Sequence, residues 1–320
     1  MLVLLTGAKG FIGTQLLARL CDSGHSVRVI TRSTFVTDFE NVEVVHADLT
    51  RPDTNYDSLL AGCSVVLNCA GEIHNENLMR ALHVEATGRL IQAANRVACE
   101  EQPIHFVQLS SVGAYGPAKG VSRVVTEQTA VNPQGTYEVT KTEGDALVLE
   151  SRNNDYFSYS ILRPSNVFGP SMTNNSLRQL GRIVGKGVFV YIGSAKKDAI
   201  ATYIHVEDVV SALMLCGFDS RAKGQVFNLS NDCALSDLID GMADALQVNR
   251  PKRSVPEAPL RFFIEIAKRF IRLQITQGRI DALVARTTYP STKLHDVLGF
   301  TPRRQVPVAI SELFTGNPSV

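Results

Sequence analysis

Residues Thr6-Gly7-Ala8-Lys9-Gly10-Phe11-Ile12-Gly13 form a glycine-rich segment between an apolar run at residues 2–5 and a helical pattern at residues 12–23. The first glycine permits a tight turn, the second lets the backbone approach a pyrophosphate, and the third allows close packing of helix on strand. Free N–H groups at the start of the helix would face the phosphates. The segment, including Lys9, Phe11 and Ile12, therefore predicts a dinucleotide-binding loop.

Outward from this loop, short β-rich runs alternate with helical patterns through the first two-thirds of the chain. Predicted strands cover residues 2–5, 26–31, 42–46, 65–68, 104–109 and 158–162, and predicted helices include residues 12–23, 78–97 and 137–152. This alternation favours a doubly wound α/β (Rossmann) fold, in which helices cover both faces of a parallel sheet. Ligands of such sheets bind beyond the carboxyl ends of the strands.

The length of the chain, 320 residues, predicts more than one domain. The alternation stops after residue 164, where loops rich in Gly, Asn and Ser follow. We predict a nucleotide-binding domain at residues 1–165 and a smaller α/β substrate lobe at residues 166–320, with a segment near residues 199–230 returning to the first domain. The helices that contain residues 78–97 and 137–152 are the predicted contact surface of a homodimer.

The composition is that of an ordinary globular protein, 44% hydrophobic and 20% charged. The net charge of +1, without a basic stripe, argues against nucleic-acid binding. Six scattered cysteines, with no CxxC pair and no histidine at zinc-ligand spacing, predict reduced thiols and no metal site. No apolar stretch approaches the roughly 18–20 residues that span a bilayer, and no signal peptide is recognised, so we expect a soluble, cytoplasmic protein.

The residues that follow the second and third predicted strands bear on the choice of cofactor. Where an NAD enzyme usually places an acidic residue for the ribose 2′-hydroxyl, this chain has Thr31-Arg32-Ser33. Arg32, alone or with Ser33 or Arg28, could bind a 2′-phosphate, which favours NADP without excluding NAD. Asp48-Leu49, after the third strand, is placed to meet the adenine.

Tyr137-Glu138-Val139-Thr140-Lys141 places a phenol and an ammonium group four residues apart on one helix face. The pKa of an unperturbed tyrosine is about 10, and a nearby lysine cation is expected to lower it by favouring the phenolate. Upstream, the strand at residues 104–109 leads into the hydroxyls of Ser110 and Ser111. The grouping predicts acid–base chemistry beside the dinucleotide.

In this order, the glycine loop, the strand-end serine and the YxxxK segment resemble the extended branch of the short-chain dehydrogenase/reductase family. One further segment, Asn68-Cys69-Ala70-Gly71, resembles the loop that follows the fourth strand in that branch. Three other segments resemble its nucleotide-sugar members. They are Leu162-Arg163-Pro164-Ser165-Asn166-Val167-Phe168-Gly169-Pro170, Ile204-His205-Val206-Glu207-Asp208-Val209, and Ser291-Thr292-Lys293 with Leu298-Gly299-Phe300-Thr301-Pro302. The similarity covers nearly the whole chain and implies an NAD(P)-dependent enzyme.

The resemblance also implies roles for individual residues. Tyr137 would be the general acid/base, Lys141 would orient the cofactor ribose, and Ser111 would hydrogen-bond the reacting oxygen. The implied cofactor contacts include Cys69, Ala70, Gly71, Tyr137, Lys141, Pro164 and Asn166. A UDP-linked or other nucleotide sugar would contact Ser111, Asn166, Asn175 and Leu177.

The two residues that directly follow the catalytic hydroxyl distinguish the dehydratases of this family from its other enzymes. Its dehydratases carry an Asp-Glu pair there, whereas this chain has Val112-Gly113, which can neither protonate a leaving hydroxyl nor remove a proton. The implied activity is C4 epimerisation of a nucleotide sugar through a transient 4-keto sugar. NADPH-dependent reduction of a 4-keto-6-deoxy nucleotide sugar is the alternative. Reduction of a non-nucleotide carbonyl and a catalytically silent NADP-binding role stay open.

Two further positions depart from the family pattern. The arginine that comparable enzymes place four residues before His205 is Ala201 here. The asparagine that supports the catalytic lysine through a water is His83 here, which leaves the support of Lys141 in question. Packing between helices is the other interpretation of His83.

Overall fold

A seven-stranded, fully parallel sheet forms the centre of the protein. The structure, a computed structural model, describes residues 1–117, 122–151, 154–267 and 277–314. The strands in chain order are β1 (Leu2–Thr6), β2 (Ser26–Thr31), β3 (Val42–His46), β4 (Cys63–Asn68), β5 (Ile104–Leu109), β6 (Phe157–Pro164) and β7 (Gln225–Leu229). Their order in the sheet is β7-β6-β5-β4-β1-β2-β3.

The sheet confirms the predicted Rossmann architecture. Its central strands are mostly apolar and buried along nearly their whole length, as parallel strands between helical layers require. All six predicted strands are present, with ends that differ by at most two residues. The seventh strand, β7, was not predicted and adds an edge beside β6.

Helices cover both faces of this sheet, which makes the fold doubly wound. Leu16, Leu17 and Leu20 of the first helix pack with Val209 and Leu213 of a later helix on one face. The residues packed on the opposite face include Leu59, Leu60, Leu90, Ile91 and Val148. The helices are α1 (Phe11–Asp22), α2 (Tyr56–Leu60), α3 (Glu76–Arg80), α4 (Thr87–Val97), α5 (Thr136–Glu150), α6 (Ser176–Gly185), α7 (Ala195–Asp198), α8 (Val206–Phe218), α9 (Leu235–Ala245), α10 (Glu257–Ala267), α11 (Gln277–Val284), α12 (Thr292–Leu298) and α13 (Val306–Ala309).

A separate hydrophobic cluster lies in the second half of the chain. Residues of α6, α9 and α13 pack there around Phe168 and Tyr191. Two-residue or three-residue ladders accompany it, pairing Asn166–Phe168 with Tyr203–His205, Ile200–Ala201 with Cys233–Ala234, and Tyr191–Ile192 with Ser254–Val255. The division of the chain at residue 165 stays a prediction, as does the homodimer surface, part of which (Arg152) lies outside the described residues.

The strand order reverses beside β1, which has β4 on one side and β2 on the other. At such a point the connections leave in opposite directions, and a crevice opens beyond the carboxyl ends of the strands. The glycine loop follows β1, Cys69 follows β4, and Ser110 follows β5. The fold therefore brings the predicted cofactor loop and the predicted catalytic serine to one edge.

Candidate active site

The glycine loop has no room for side chains at two of its glycines. Gly7 has a φ of +73°, and a β-carbon placed there would lie 2.7 Å from the carbonyl carbon of Cys69. A β-carbon on Gly13 would lie 2.0 Å from the carbonyl oxygen of Gly7. Among the described residues, no side chain caps the N-terminus of α1, so its first N–H groups are available to an anion. The residues present fit the pyrophosphate of a dinucleotide.

Hydrogen bonds between neighbouring strand ends hold the next loop against Gly7. Thr6 Oγ1 donates to Asn68 Oδ1 at 2.7 Å, and Asn68 Nδ2 donates to Gln108 Oε1 at 2.8 Å. Thr6 Oγ1 also accepts from the N–H of Ala70 at 3.0 Å. This buried network fixes the Cys69-Ala70-Gly71 segment next to the glycine loop, where the sequence predicts cofactor contacts.

A second group of polar residues lies at the end of β2 and β3. Arg32 and Asp48 line an open cleft of about 570 Å³, together with His46, Arg51 and Asp53 among others. Asp48 Oδ1 accepts from both the N–H and the hydroxyl of Thr50, and the first of these bonds is the largest cause lowering the pKa of the carboxyl group. This cleft lies at the predicted adenosine end, away from the predicted catalytic residues.

Lys9, predicted as part of the glycine loop, extends to the residues that follow β2, a contact that the sequence alone did not indicate. Its Nζ donates to Ser33 Oγ at 2.8 Å and to the carbonyl oxygen of Thr34 at 3.1 Å. Arg28, by contrast, is engaged elsewhere, because it pairs with Glu43 and donates to backbone carbonyls near α2. The suggestion that Arg28 helps to bind a 2′-phosphate is therefore wrong. Leu49, the neighbour of Asp48, is buried, and its carbonyl accepts from a tyrosine hydroxyl.

The three predicted catalytic residues lie at the end of β5 and on α5. Ser111 caps a 3₁₀ turn at Val112–Tyr115, where its Oγ accepts from the N–H of Gly113 at 3.0 Å. Lys141 is buried, and its Nζ donates to the carbonyl oxygen of Leu109 at 2.5 Å. Tyr137 stands one turn before Lys141 on α5. The strand end and the helix thus bring the serine, the phenol and the ammonium group to one region.

The pKa of Tyr137 differs from the expectation. Burial raises it to about 12, and the negative charges of Glu138 and Asp145 act in the same direction. The expected lowering by Lys141 is wrong for this arrangement, since the lysine ammonium group is directed at a backbone carbonyl. A phenol with a raised pKa is a proton donor at neutral pH, which is the role required when a ketone is reduced.

A buried ion pair behind Lys141 was not predicted. Asp145 Oδ2 accepts from Arg163 Nε at 3.0 Å and from the hydroxyl of Ser110 at 2.8 Å. Arg163 also donates to the hydroxyl of Tyr115, which donates to Asn228 Oδ1 at 2.9 Å. Burial lowers the pKa of Lys141 on the same helix, and the charge of Asp145 opposes this shift. The pair thus joins β6, β7 and the 3₁₀ turn to α5.

His83 connects the Gly71 loop to α5. It is buried in a π-helix, Ala81–Ala86, between α3 and α4. Its Nε2 accepts from the N–H of Glu72 at 2.9 Å, so its Nδ1 carries the proton and donates to Thr140 Oγ1 at 2.8 Å. The hydroxyl of Thr140 in turn donates to the carbonyl of Thr136. The ring of His83 meets the ring of Tyr137 edge-on, with centroids 5.5 Å apart.

We expect folding stability to fall between pH 6.5 and 4, because His83 and His105 are buried as neutral rings. Burial lowers the pKa of each to about 4, whereas a histidine in the unfolded chain titrates near about 6.5. Below that pH these histidines bind protons in the unfolded state but not in the folded state. Each histidine therefore contributes stability that is complete above pH 6.5 and lost toward pH 4, up to about 3 kcal/mol.

Denaturant melts of the wild type and of His105→Gln at pH 7, 5.5 and 4 measure this effect. The variant should lose part of the dependence, since carboxylates titrate equally in both proteins. His295→Gln, at an exposed histidine, is the matched control and should reproduce the wild-type slope. Equal slopes in the wild type and in His105→Gln would contradict the assignment.

The predicted substrate residues lie on the second half of the chain. Asn166 is exposed, and its Nδ2 donates to the carbonyl oxygen of Thr202 at 3.0 Å. Asn175 is exposed at the start of α6, whereas the side chain of Leu177 is buried in the cluster around Phe168. Leu177 therefore has only its backbone to offer to a ligand. Ala201 is also buried in this cluster.

The described residues contain neither a candidate metal cluster nor a helix that could span a membrane. Within residues 1–117, 122–151, 154–267 and 277–314, no three His, Cys, Asp or Glu side chains come together as a candidate metal site. None of the helices in these ranges combines the length and the apolar character needed to cross a membrane.

Comparisons with known proteins agree on one family. The family described as "NAD dependent epimerase/dehydratase family" matches residues 3–230. The chain is similar to UDP-glucose 4-epimerase from Vibrio cholerae, with 24% identity over 94% of this chain and 90% of that protein. It is also similar to 3beta-hydroxysteroid-dehydrogenase/decarboxylase isoform 2 from Arabidopsis thaliana, at 25% identity, where the match covers 82% of this chain but only 49% of the plant protein.

Solved structures share the fold. A UDP-glucuronic acid 4-epimerase from Bacillus cereus in complex with NAD superposes with a TM-score of 0.73 at 17% identity. The match covers 100% of this chain and 99% of that one. At this level of identity the likeness establishes the architecture and leaves the substrate to the residues of the site.

Proposed function

The chain belongs to the NAD-dependent epimerase/dehydratase family, and we propose from this premise that it is a nucleotide-sugar C4 epimerase. The observation that carries the proposal is the grouping of Ser111, Tyr137 and Lys141 beyond β5, next to a glycine loop that fits a dinucleotide. The similarity to a UDP-glucose 4-epimerase over nearly the full length supports a UDP-linked hexose as the substrate.

The residues support acid–base chemistry at one sugar oxygen. Tyr137 would exchange a proton with the C4 oxygen, and Ser111 would hydrogen-bond the same oxygen while it is a carbonyl. Lys141 would hold the cofactor ribose, with Asp145 maintaining its positive charge from the buried side. When bound, the nicotinamide supplies the oxidising and reducing capacity at C4. Val112 and Gly113 offer no acid at the positions that dehydration requires.

Reduction of a 4-keto-6-deoxy nucleotide sugar is the second candidate. It is favoured by the raised pKa of Tyr137, because a protonated phenol is suited to donate to a ketone. Reduction of a non-nucleotide carbonyl is supported by the similarity to the plant steroid enzyme, of which the match covers 49%.

Incubation of the purified protein with single substrates distinguishes these activities. The epimerase should interconvert UDP-glucose or UDP-N-acetylglucosamine with its C4 epimer without added reductant, which NMR follows directly. A reductase would be silent until it receives a 4-keto-6-deoxy nucleotide sugar and NADPH. Reduction of a non-nucleotide carbonyl, with no change in any nucleotide sugar, would overturn the nucleotide-sugar proposal.

We further propose that Arg32 favours NADP over NAD as the cofactor, and expect Arg32→Ala to weaken NADP binding by about 1.5–3 kcal/mol, the range of a hydrogen bond to a charged group. Arg32 follows β2 and has no acidic residue next to it in the sequence. The Lys9 ammonium group is a second cation in this region, because it donates to the hydroxyl of the adjacent Ser33. Calorimetry with NADP and NAD measures the effect. NAD affinity should barely change, and equal losses for both cofactors would show that Arg32 does not contact a 2′-phosphate.

A further inference from the structure

A carboxylate lies beside the predicted catalytic serine. Glu138 follows Tyr137 in the first turn of α5, and its side chain lies over Gly113. A β-carbon placed on Gly113 would come within 2.8 Å of Glu138 Cγ and 3.3 Å of Ser111 Oγ. A β-carbon on Gly135 would come within 2.7 Å of Glu138 Oε2. Glu138 therefore occupies the space that these two glycines leave open, next to the Ser111 hydroxyl.

The charge of Glu138 is uncompensated within the described part of the chain. None of the described side chains forms an ion pair or hydrogen bond with its carboxylate, and the group is partly exposed. Of the cations in this part of the site, Arg163 pairs with Asp145, and the buried ammonium group of Lys141 is directed at the carbonyl of Leu109 rather than at Glu138. A negative charge on a ligand beside Ser111 would thus meet the like charge of Glu138.

We propose that Glu138 is a specificity residue that disfavours sugars with a carboxylate near the reacting carbon and favours neutral hexoses. This inference rests on the proposed function, because it assumes that a sugar reacts beside Ser111. Two like charges about 5 Å apart, at an effective dielectric constant of about 20, repel by enough to weaken binding more than a hundredfold. Partial exposure of Glu138 reduces the expected effect to about tenfold or more.

A structural role for Glu138 makes a different prediction. An acidic residue in the first turn of a helix interacts favourably with the helix dipole, whatever the substrate. Loss of that interaction would change stability equally in the presence of any sugar. Glu138→Gln keeps the size and shape of the side chain and removes the charge. A role in specificity would then change the preference between a neutral and an acidic sugar, whereas a role in stability alone would leave that preference unchanged.

The experiment compares UDP-glucose with UDP-glucuronate, which differ in the charge at C6. kcat/KM and the dissociation constant of each are measured for the wild type, for Glu138→Gln and for Glu143→Gln. Glu143 is the matched control, because it lies on the same helix and pairs with Arg80 at the surface. Glu138→Gln should shift preference toward UDP-glucuronate by about tenfold or more, and the control should leave it unchanged.

The two failures are distinguishable. Turnover of UDP-glucose with an unchanged preference in Glu138→Gln would overturn the role of Glu138 and leave the proposed function intact. If neither sugar turns over, the dissociation constants still decide, and a shifted ratio supports the role of Glu138 while the proposed reaction fails. Binding of neither nucleotide sugar would overturn both proposals.

Discussion

Tyr137→Phe should lower kcat by a factor of about 10² to 10⁴ while cofactor binding is retained. The substitution removes one phenolic oxygen, and the loss of a positioned acid/base usually costs that much. The aromatic ring remains, so its edge-on contact with the ring of His83 is preserved. Steady-state turnover of the nucleotide sugar and calorimetric titration with the cofactor measure the two quantities separately.

The matched control for this variant is Tyr156→Phe. Tyr156 is 42% exposed and lies beside β6, outside the candidate site. It should keep wild-type turnover. Retention of more than about a tenth of wild-type kcat by Tyr137→Phe would contradict the role of the phenol. Loss of both turnover and cofactor binding would show that the hydroxyl has a role in cofactor binding or structure instead.

The fold could be predicted largely because its signals are local. The glycine loop lies directly between β1 and α1, and the buried strands are short runs in which apolar residues predominate. β7 was missed because it follows a long helix, in a region where strands and helices no longer alternate. Its place beside β6 depends on pairing between residues about 65 positions apart, which no local pattern encodes.

The sequence predicted which residues form the candidate site, but it did not predict their pKa values. The YxxxK spacing identifies Tyr137 and Lys141, but it carries no information on desolvation, and burial raises the pKa of the phenol. The sequence also does not show that the side chain of Glu138 fills the space beside Gly113. The two positions are 25 residues apart and come into contact only when α5 packs on the 3₁₀ turn. Lys9 was predicted as part of the loop, whereas its contact with Ser33, 24 residues away, forms only in the folded chain.

Asp145→Ala should lower the free energy of unfolding by about 3–5 kcal/mol, the usual consequence of removing one partner from a buried ion pair. In the sequence Asp145 resembles an ordinary carboxylate on a helix, yet its side chain is only 1% exposed and that of Arg163 only 5%. The substitution leaves the guanidinium group of Arg163 buried with the hydroxyl of Tyr115 as its remaining side-chain partner among the described residues. Denaturant unfolding at pH 7 measures the loss.

Two controls separate the buried charge from the mere loss of an ion pair. Asp53→Ala removes a carboxylate from the surface pair with Arg51, in which both side chains are 66% exposed, and should cost far less than Asp145→Ala because solvent screens an exposed pair. The double variant Asp145→Leu/Arg163→Met replaces both charges with apolar groups and should recover much of the stability that Asp145→Ala loses. If Asp145→Ala costs no more than Asp53→Ala, Arg163 finds solvent or another partner, and α5 does not depend on the pair. If the double variant is no more stable than Asp145→Ala, the loss in Asp145→Ala comes from the missing bond to Ser110 rather than from the isolated charge of Arg163.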